Sequence, residues 1–227
     1  MDLLSKSIGD RSRNTLVGLT GLLFICIASP AAAGGSVEAG QSKAATCAAC
    51  HGADGNSLNP EWPSLAGQNE RYLVESLQSF KNGSRDNVLM AGQVMALSDE
   101  DIQDLAAYYS AQTAARKTAD KALVEQGERL YRGGNRDRGI SACIACHGPT
   151  GRGNPAAGYP SLSGQHATYS AAQLRAYKTK ARKSDGSRQI MRSIAAELSE
   201  DEIVAVASYI PVSYTHLTLP TNTVTWR

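Results

Sequence analysis

Two copies of one short motif carry most of the chemistry that this sequence offers. Each copy has two cysteines three positions apart, followed directly by a histidine: Cys47, Cys50 and His51, then Cys143, Cys146 and His147. Two such thiols can add across the vinyl groups of one porphyrin, and the adjacent imidazole can reach its iron, as in c-type haem attachment. The same cysteine spacing occurs in structural zinc sites and redox-active dithiols, which are the alternatives.

The motif belongs to a longer internal repeat. The segment WPSLAGQ at 62–68 corresponds to YPSLSGQ at 159–165, and LSDEDI at 97–102 corresponds to LSEDEI at 198–203. Because these landmarks follow in the same order in both halves, we expect a duplicated domain. Duplication together with the directly following histidines favours haem over zinc or a dithiol.

Helix signals recur at equivalent places in the two halves. Ser98 and Ser199 each have an acidic residue three positions later, which predicts a capping box at a helix start. Ile102, Leu105 and Tyr109 continue the first of these helices as one apolar stripe. No alternating strand pattern is present between residues 34 and 211, so an all-α fold is expected.

Further helices are predicted at 71–81 and 168–178, which also correspond to each other in the repeat. The boundary between the halves is expected near 114–122, a stretch rich in Ala and Lys and without Gly or Pro, which favours partial helix. The predicted domains are therefore residues 34–117 and 118–211.

Both ends of the chain are expected to lie outside these domains. Basic residues before an apolar run at 16–28, followed by small residues, are typical of a secretory signal peptide over 1–33, cleaved after Ala33. An uncleaved anchor is the alternative, although the run is shorter than the roughly 20 residues of a spanning helix. Cleavage removes Cys26 and predicts an exported protein. Residues 212–227 are Thr-rich and follow no landmark of the first half, so we interpret them as a non-native tail.

A haem iron held by one histidine needs Met, His or Lys as second ligand, or keeps an open position. Met90 and Met191 occupy equivalent places in the repeat, so we predict that both bind iron from a loop before the last helix. Met95 aligns with an alanine and is interpreted as a packing residue. His166 and His216 have no counterpart in the first half.

Composition narrows the function further. The net charge of +2 over 227 residues lacks the basic excess of a nucleic-acid-binding protein. Aromatic residues make up only 6%, which fits two small cores completed by cofactors. Residues 34–117 carry a net −4 and residues 118–211 a net +4, and we hypothesise that this dipole orients the protein between partners.

The two attachment motifs, the two Pro-Ser-Leu-x-Gly-Gln segments and the two Met-x6-Leu-Ser helix entries together resemble the cytochrome c4 family, over roughly residues 34–210. That family consists of dihaem class I c-type cytochromes of the bacterial periplasm. The resemblance implies two tandem cytochrome c-like domains, each wrapped around a covalently attached haem c. It implies that His51 and Met90 bind one iron, that His147 and Met191 bind the other, and that the carbonyls of Pro63 and Pro160 accept hydrogen bonds from the two imidazoles.

The expected function is single-electron transfer without catalytic residues, and the resemblance implies that electrons pass from a quinol-oxidising complex toward a terminal oxidase. We expect a monomer, either soluble or peripherally associated with the membrane, that binds redox proteins but no nucleic acid. One alternative is a dihaem cytochrome subunit of a flavocytochrome c sulfide dehydrogenase-type enzyme. A dihaem peroxidase would need an open iron position, which the duplicated methionine disfavours.

Overall fold

A computed structural model describes residues 34–210, so the expectations for the signal peptide and for the tail fall outside the described residues. Within 34–210 the regular structure is α-helical, with isolated β-bridges only, as the sequence predicts. The helices are α1 (Val37–Lys43), α2 (Ala45–His51), α3 (Glu70–Lys81), α4 (Val88–Val94), α5 (Asp99–Ser110), α6 (Lys121–Gly133), α7 (Ile144–His147), α8 (Ala167–Lys178), α9 (Ile190–Glu197) and α10 (Glu200–Tyr209). None of these helices has the length and apolar character needed to cross a membrane.

The duplication is visible in how the helices pack. In the first half α1 packs on α5, and in the second half α6 packs on α10 in the same way. Gly40 and Gly127 lie at these two crossings, where an added Cβ would stand 2.0 Å from the Asp104 carbonyl oxygen and 2.2 Å from the Ala205 carbonyl oxygen. The first and last helices of each half can therefore touch only because glycine has no side chain.

The predicted helix caps are present. The Ser98 side chain accepts from the Asp101 amide while Asp101 reaches back to the Ser98 amide, and Ser199 and Glu202 form the same capping box on α10. Such a cap typically contributes about 1 kcal/mol. The cap of α5 leads directly into its apolar stripe, whose first residue, Ile102, is fully buried.

Each half has a hydrophobic cluster of its own, and each cluster is packed against one motif cysteine. In the first half Cys47 contacts the cluster, and the rings of Tyr108 and Tyr109 meet within it at 5.0 Å. In the second half Cys143 contacts the cluster, in which the rings of Tyr131 and Tyr209 lie 5.5 Å apart. The thiols therefore stand at the edges of two small cores, where a large apolar group can extend them.

Two sequence predictions need correction. Of the stretch 114–122 only residues 121 and 122 are helical, at the start of α6, because contacts with the two halves hold residues 113–120 outside a helix. The Ala115 amide donates to Asn56 Oδ1 at 2.7 Å, and the Asp120 amide donates to Ser208 Oγ at 3.0 Å. Met90 and Met191 lie in the short helices α4 and α9 rather than in loops, and Asn87 stabilises the start of α4 by accepting from the Met90 amide at 3.0 Å.

Candidate functional site

The two motifs are built on short helices that end at their histidines. Cys47 and Cys50 lie in α2, and Cys143 and Cys146 lie at the start and within α7. Side chains three positions apart share one face of a helix, so both thiols of each pair point to the same side. All four thiols are free rather than disulfide-bonded. Each pair can therefore bond to two neighbouring carbons of one planar group.

Both motif histidines are buried and oriented by a backbone carbonyl. His51 is 7% exposed with its Nδ1 2.8 Å from the Pro63 oxygen, and His147 is 6% exposed with its Nδ1 3.0 Å from the Pro160 oxygen. Because a carbonyl oxygen can only accept, Nδ1 carries the proton and donates it, and Nε2 keeps a free lone pair. Burial lowers the pKa of both rings and outweighs the opposite effect of the proline carbonyls. Neutral imidazole with a free Nε2 is the form that binds a metal.

The methionines occupy equivalent positions after the central helix of each half. Met90 and Met191 are half-buried in the first turns of α4 and α9. Helix α4 packs on α3, and α9 packs on α8. Met95, by contrast, is 69% exposed, so its interpretation as a packing residue was wrong.

These features fit a covalently bound haem better than the alternative of zinc. Within residues 34–210 no three His, Cys, Asp or Glu side chains converge to hold a metal ion by themselves. The donor set of each half is instead a thiol pair beside an imidazole with one free nitrogen. Near the first motif, the hydroxyls of Ser64 and Tyr109 are buried without hydrogen-bond partners in the described part of the chain, which leaves polar atoms for a bound group.

Two glutamines that the sequence interpretation missed join the halves next to the two motif imidazoles. Gln165 Oε1 accepts from the Ser64 amide at 2.9 Å, and Gln165 Nε2 donates to the Ser64 carbonyl at 2.9 Å. Gln68 forms the equivalent pair with Ser161, at 2.7 Å to its amide and 2.8 Å to its carbonyl. The signal was available, because both glutamines end the repeated Pro-Ser-Leu-x-Gly-Gln segment, but nothing in the sequence shows that each reaches the opposite half.

Two buried arginines form a second reciprocal contact. Arg85 donates to the Tyr169 hydroxyl at 2.6 Å, and Arg182 donates to the Tyr72 hydroxyl at 2.8 Å. Burial alone would raise the pKa of Tyr72, but the positive charges of Arg182 and Arg85 outweigh it and lower this pKa to about 8. His166 also reaches across the halves, with its Nε2 2.8 Å from the Ser57 oxygen.

Comparison with known proteins assigns this architecture. The family model for cytochrome c matches residues 37–111 and 124–211, one match in each half. Cytochrome c4 of Stutzerimonas stutzeri is 49% identical over 198 residues, which are 83% of this chain and 94% of that protein. The crystal structure of reduced recombinant cytochrome c4 from Pseudomonas stutzeri superposes with a TM-score of 0.76 at 50% identity, covering 78% of this chain and 97% of that one. A thiosulfate dehydrogenase electron acceptor of Thiomonas intermedia is 39% identical over 189 residues, 79% of this chain and 83% of that protein.

The all-α fold with two cytochrome c domains is thereby confirmed. Two such domains, each with its cysteine pair, carry two covalently attached haem c groups. The protein is an electron carrier rather than an enzyme, which removes the dihaem peroxidase alternative. The extent of the sequence match and the duplicated structure lead to one conclusion: the chain belongs to the cytochrome c4 family of dihaem class I c-type cytochromes.

Proposed function

We propose that this carrier works in the periplasm, where it takes single electrons from a quinol-oxidising complex and passes them to a terminal oxidase. His51 and Met90 bind the iron of the first haem, and His147 and Met191 bind the iron of the second. The observation that carries this proposal is a buried imidazole whose Nδ1 donates a hydrogen bond to a proline carbonyl. It recurs in both domains with nearly the same distance. Bound haem c supplies the one-electron chemistry.

The residues of this chain hold and orient the group. The cysteine pairs fix it to α2 and α7, and the carbonyls of Pro63 and Pro160 hold each imidazole in one tautomer and one ring orientation. Ligation by His and Met would leave the iron without an open position and would raise its potential relative to two histidines. Electron transfer would then require no proton transfer and little movement of these side chains.

The segment between the domains supports the proposed boundary. Lys117 Nζ donates to the Ser57 oxygen in the first domain at 3.2 Å and also lies 3.2 Å from His166 Nε2 of the second, and the Asp120 amide donates to Ser208 in the second. The change of domain therefore falls near these residues, and the proposed first domain is 34–117 and the second 118–211. The proposed signal peptide at 1–33 and non-native tail at 212–227 rest on the sequence pattern alone. Helix α6, which starts at Lys121, follows this boundary closely.

The opposite net charges of the two domains support a mode of docking to partner proteins. The first domain has 6 basic and 10 acidic residues, and the second has 13 basic and 9 acidic residues. We propose that the monomer associates peripherally with the membrane and that its second domain docks on acidic surfaces of redox partners. Association rates with such a partner should then fall steeply as salt is added, and a salt-independent rate would contradict this docking mode.

Spectral redox titration of Met90→Ala and Met191→Ala variants tests the ligand assignment. Each variant should lose the sulfur-ligand absorption of one haem and leave the other unchanged. Met95→Ala is the matched control, because Met95 is exposed and lies in the same part of the chain as Met90. Unchanged spectra in both ligand variants would refute the assignment.

A second candidate places this carrier beside a sulfur-compound dehydrogenase. The similarity to the thiosulfate dehydrogenase electron acceptor favours it. The dihaem subunit of a flavocytochrome c sulfide dehydrogenase-type enzyme, the alternative from the sequence, is a separate form of the same idea. Purification from the source organism separates the candidates, because a bound subunit would co-purify with its flavoprotein. Reduction kinetics with a quinol-oxidising membrane fraction and with a purified dehydrogenase would identify the donor.

A further inference from the structure

The peptide unit between Pro63 and Ser64 is hydrogen-bonded at both ends, and the two partners come from different domains. Its carbonyl oxygen accepts from His51 Nδ1 at 2.8 Å, and its amide donates to Gln165 Oε1 at 2.9 Å. Ser64 is 7% exposed and Gln165 is 8% exposed, so water does not compete for either bond. One continuous chain of hydrogen bonds thus leads from a side chain of the second domain to the axial imidazole of the first.

The reverse connection is also present. The carbonyl of Pro160 accepts from His147 Nδ1 at 3.0 Å, and the amide of Ser161 donates to Gln68 Oε1 at 2.7 Å. Gln68 is 7% exposed. Each domain therefore supplies one glutamine to the peptide unit that orients the imidazole of the other domain.

We propose that Gln68 and Gln165 are positioning residues through which each domain tunes the reduction potential of the haem in the other domain. The inference rests on the proposed ligation by His51 and His147. Hydrogen bonds in a chain polarise one another, so an amide that donates to glutamine makes the carbonyl of the same peptide unit a stronger acceptor. A stronger acceptor on Nδ1–H makes the imidazole a more basic ligand, which favours ferric iron.

The sign of the effect follows directly. Without Gln165, the Pro63 carbonyl accepts less strongly from His51, and the reduction equilibrium of the first haem shifts toward the ferrous state. The shift is limited to what a single hydrogen bond changes, about twofold to tenfold in the equilibrium constant. For a one-electron couple, tenfold corresponds to about 59 mV.

The interface contains a matched control for domain docking. Gln173 Oε1 accepts from Arg85 at 3.1 Å and from Arg182 at 2.8 Å, so it also supports the contact between the domains. Its hydrogen bonds, however, do not involve the peptide units next to the axial imidazoles. Gln173→Leu therefore perturbs the interface without interrupting either chain of hydrogen bonds.

The test is a redox titration of the holoprotein followed by NMR, with the amide signals of Cys50 and Cys146 reporting the two domains separately. Gln165→Leu should raise the potential reported by Cys50 and change that reported by Cys146 much less. Gln68→Leu should give the opposite pattern, and Gln173→Leu should shift neither. Gln165→Asn is one methylene shorter and stays uncharged, so it serves as the second variant if Gln165→Leu fails to fold, and it should raise the potential reported by Cys50 in the same direction.

Amide hydrogen exchange at Ser64 and Ser161 checks that each leucine variant has broken the intended bond. The inference would be overturned if exchange at Ser64 became faster while the potential reported by Cys50 stayed the same. It would also be overturned if Gln173→Leu changed that potential as much as Gln165→Leu does. These failures differ from a failure of the proposed ligation. In that case the haem spectra of His51→Ala and His147→Ala would stay unchanged, whereas a wrong cross-domain inference leaves those spectra responsive.

Discussion

The contact between α6 and α10 yields the sharpest prediction about stability. At Gly127 an added Cβ would stand 2.2 Å from the Ala205 carbonyl oxygen and 2.7 Å from Tyr209 Cβ. These neighbours cannot rotate away, so the two helices must separate by about 1 Å, which forfeits a quarter to a half of the dispersion energy along their contact. Overpacking of this kind costs about 1–3 kcal/mol, and the added Cβ contacts backbone, so we expect about 3 kcal/mol. The better helix propensity of alanine returns about 1 kcal/mol, which leaves a net loss of about 2 kcal/mol.

Gly133 is a matched control in the same helix, because nothing lies within 4 Å of a Cβ added there. Gly133→Ala should therefore be neutral or stabilising by about 0.4–1 kcal/mol through the unfolded state. The assay is thermal unfolding of both holoprotein variants, followed by signals of the second domain. A loss of about 2 kcal/mol lowers the midpoint by about 8–16 °C in a domain of this size. If Gly127→Ala unfolds at the same temperature as Gly133→Ala, the argument from the close crossing is wrong.

Three further outcomes are expected from contacts elsewhere. Ser199→Ala removes the cap of α10 and should destabilise the second domain by about 1 kcal/mol in denaturant titrations, and an unchanged midpoint would contradict the role of the cap. Lys43 Nζ lies 2.7 Å from an Asp101 carboxylate oxygen and holds the pKa of that carboxyl below its ordinary value of 3.8. The carboxylate therefore contributes to folding stability above about pH 3.8, and this stability is lost as the pH falls further. In Lys43→Met, stability should fall less steeply with decreasing pH in this range. An unchanged pH dependence would contradict the role of Lys43. The Tyr72 hydroxyl should titrate near pH 8 in ultraviolet difference spectra. This titration should be absent from Tyr72→Phe and should occur at a higher pH in Arg182→Gln. A wild-type spectrum without a titration near pH 8 would exclude the effect of the arginines.

Much of the fold could be predicted because its determinants are local. The capping boxes at Ser98 and Ser199 depend on residues three positions apart, and the attachment motifs lie within single helices. The irregular segment before α6 could not be predicted in this way, because its conformation depends on contacts with Asn56 and Ser208, which lie far away in sequence. The glutamine contacts escaped prediction for the same reason, since Gln165 and Ser64 are 101 positions apart.

The two sites differ in spite of their identical motifs, and the difference lies in the residue after each glutamine. Asn69 Nδ2 donates to the Tyr159 carbonyl at 2.6 Å, so the segment around Pro160 is held at three consecutive residues by His147, Gln68 and Asn69. At the equivalent position, His166 contacts the Ser57 oxygen instead, which leaves the segment around Pro63 held by His51 and Gln165. Duplication of a domain therefore copies the groups that attach and orient the haem, whereas the residues at the contact between the copies are free to diverge. Because Asn69 bonds to the residue before Pro160 and His166 forms no such bond near Pro63, the contact between the domains is also where two equal sites can acquire different potentials.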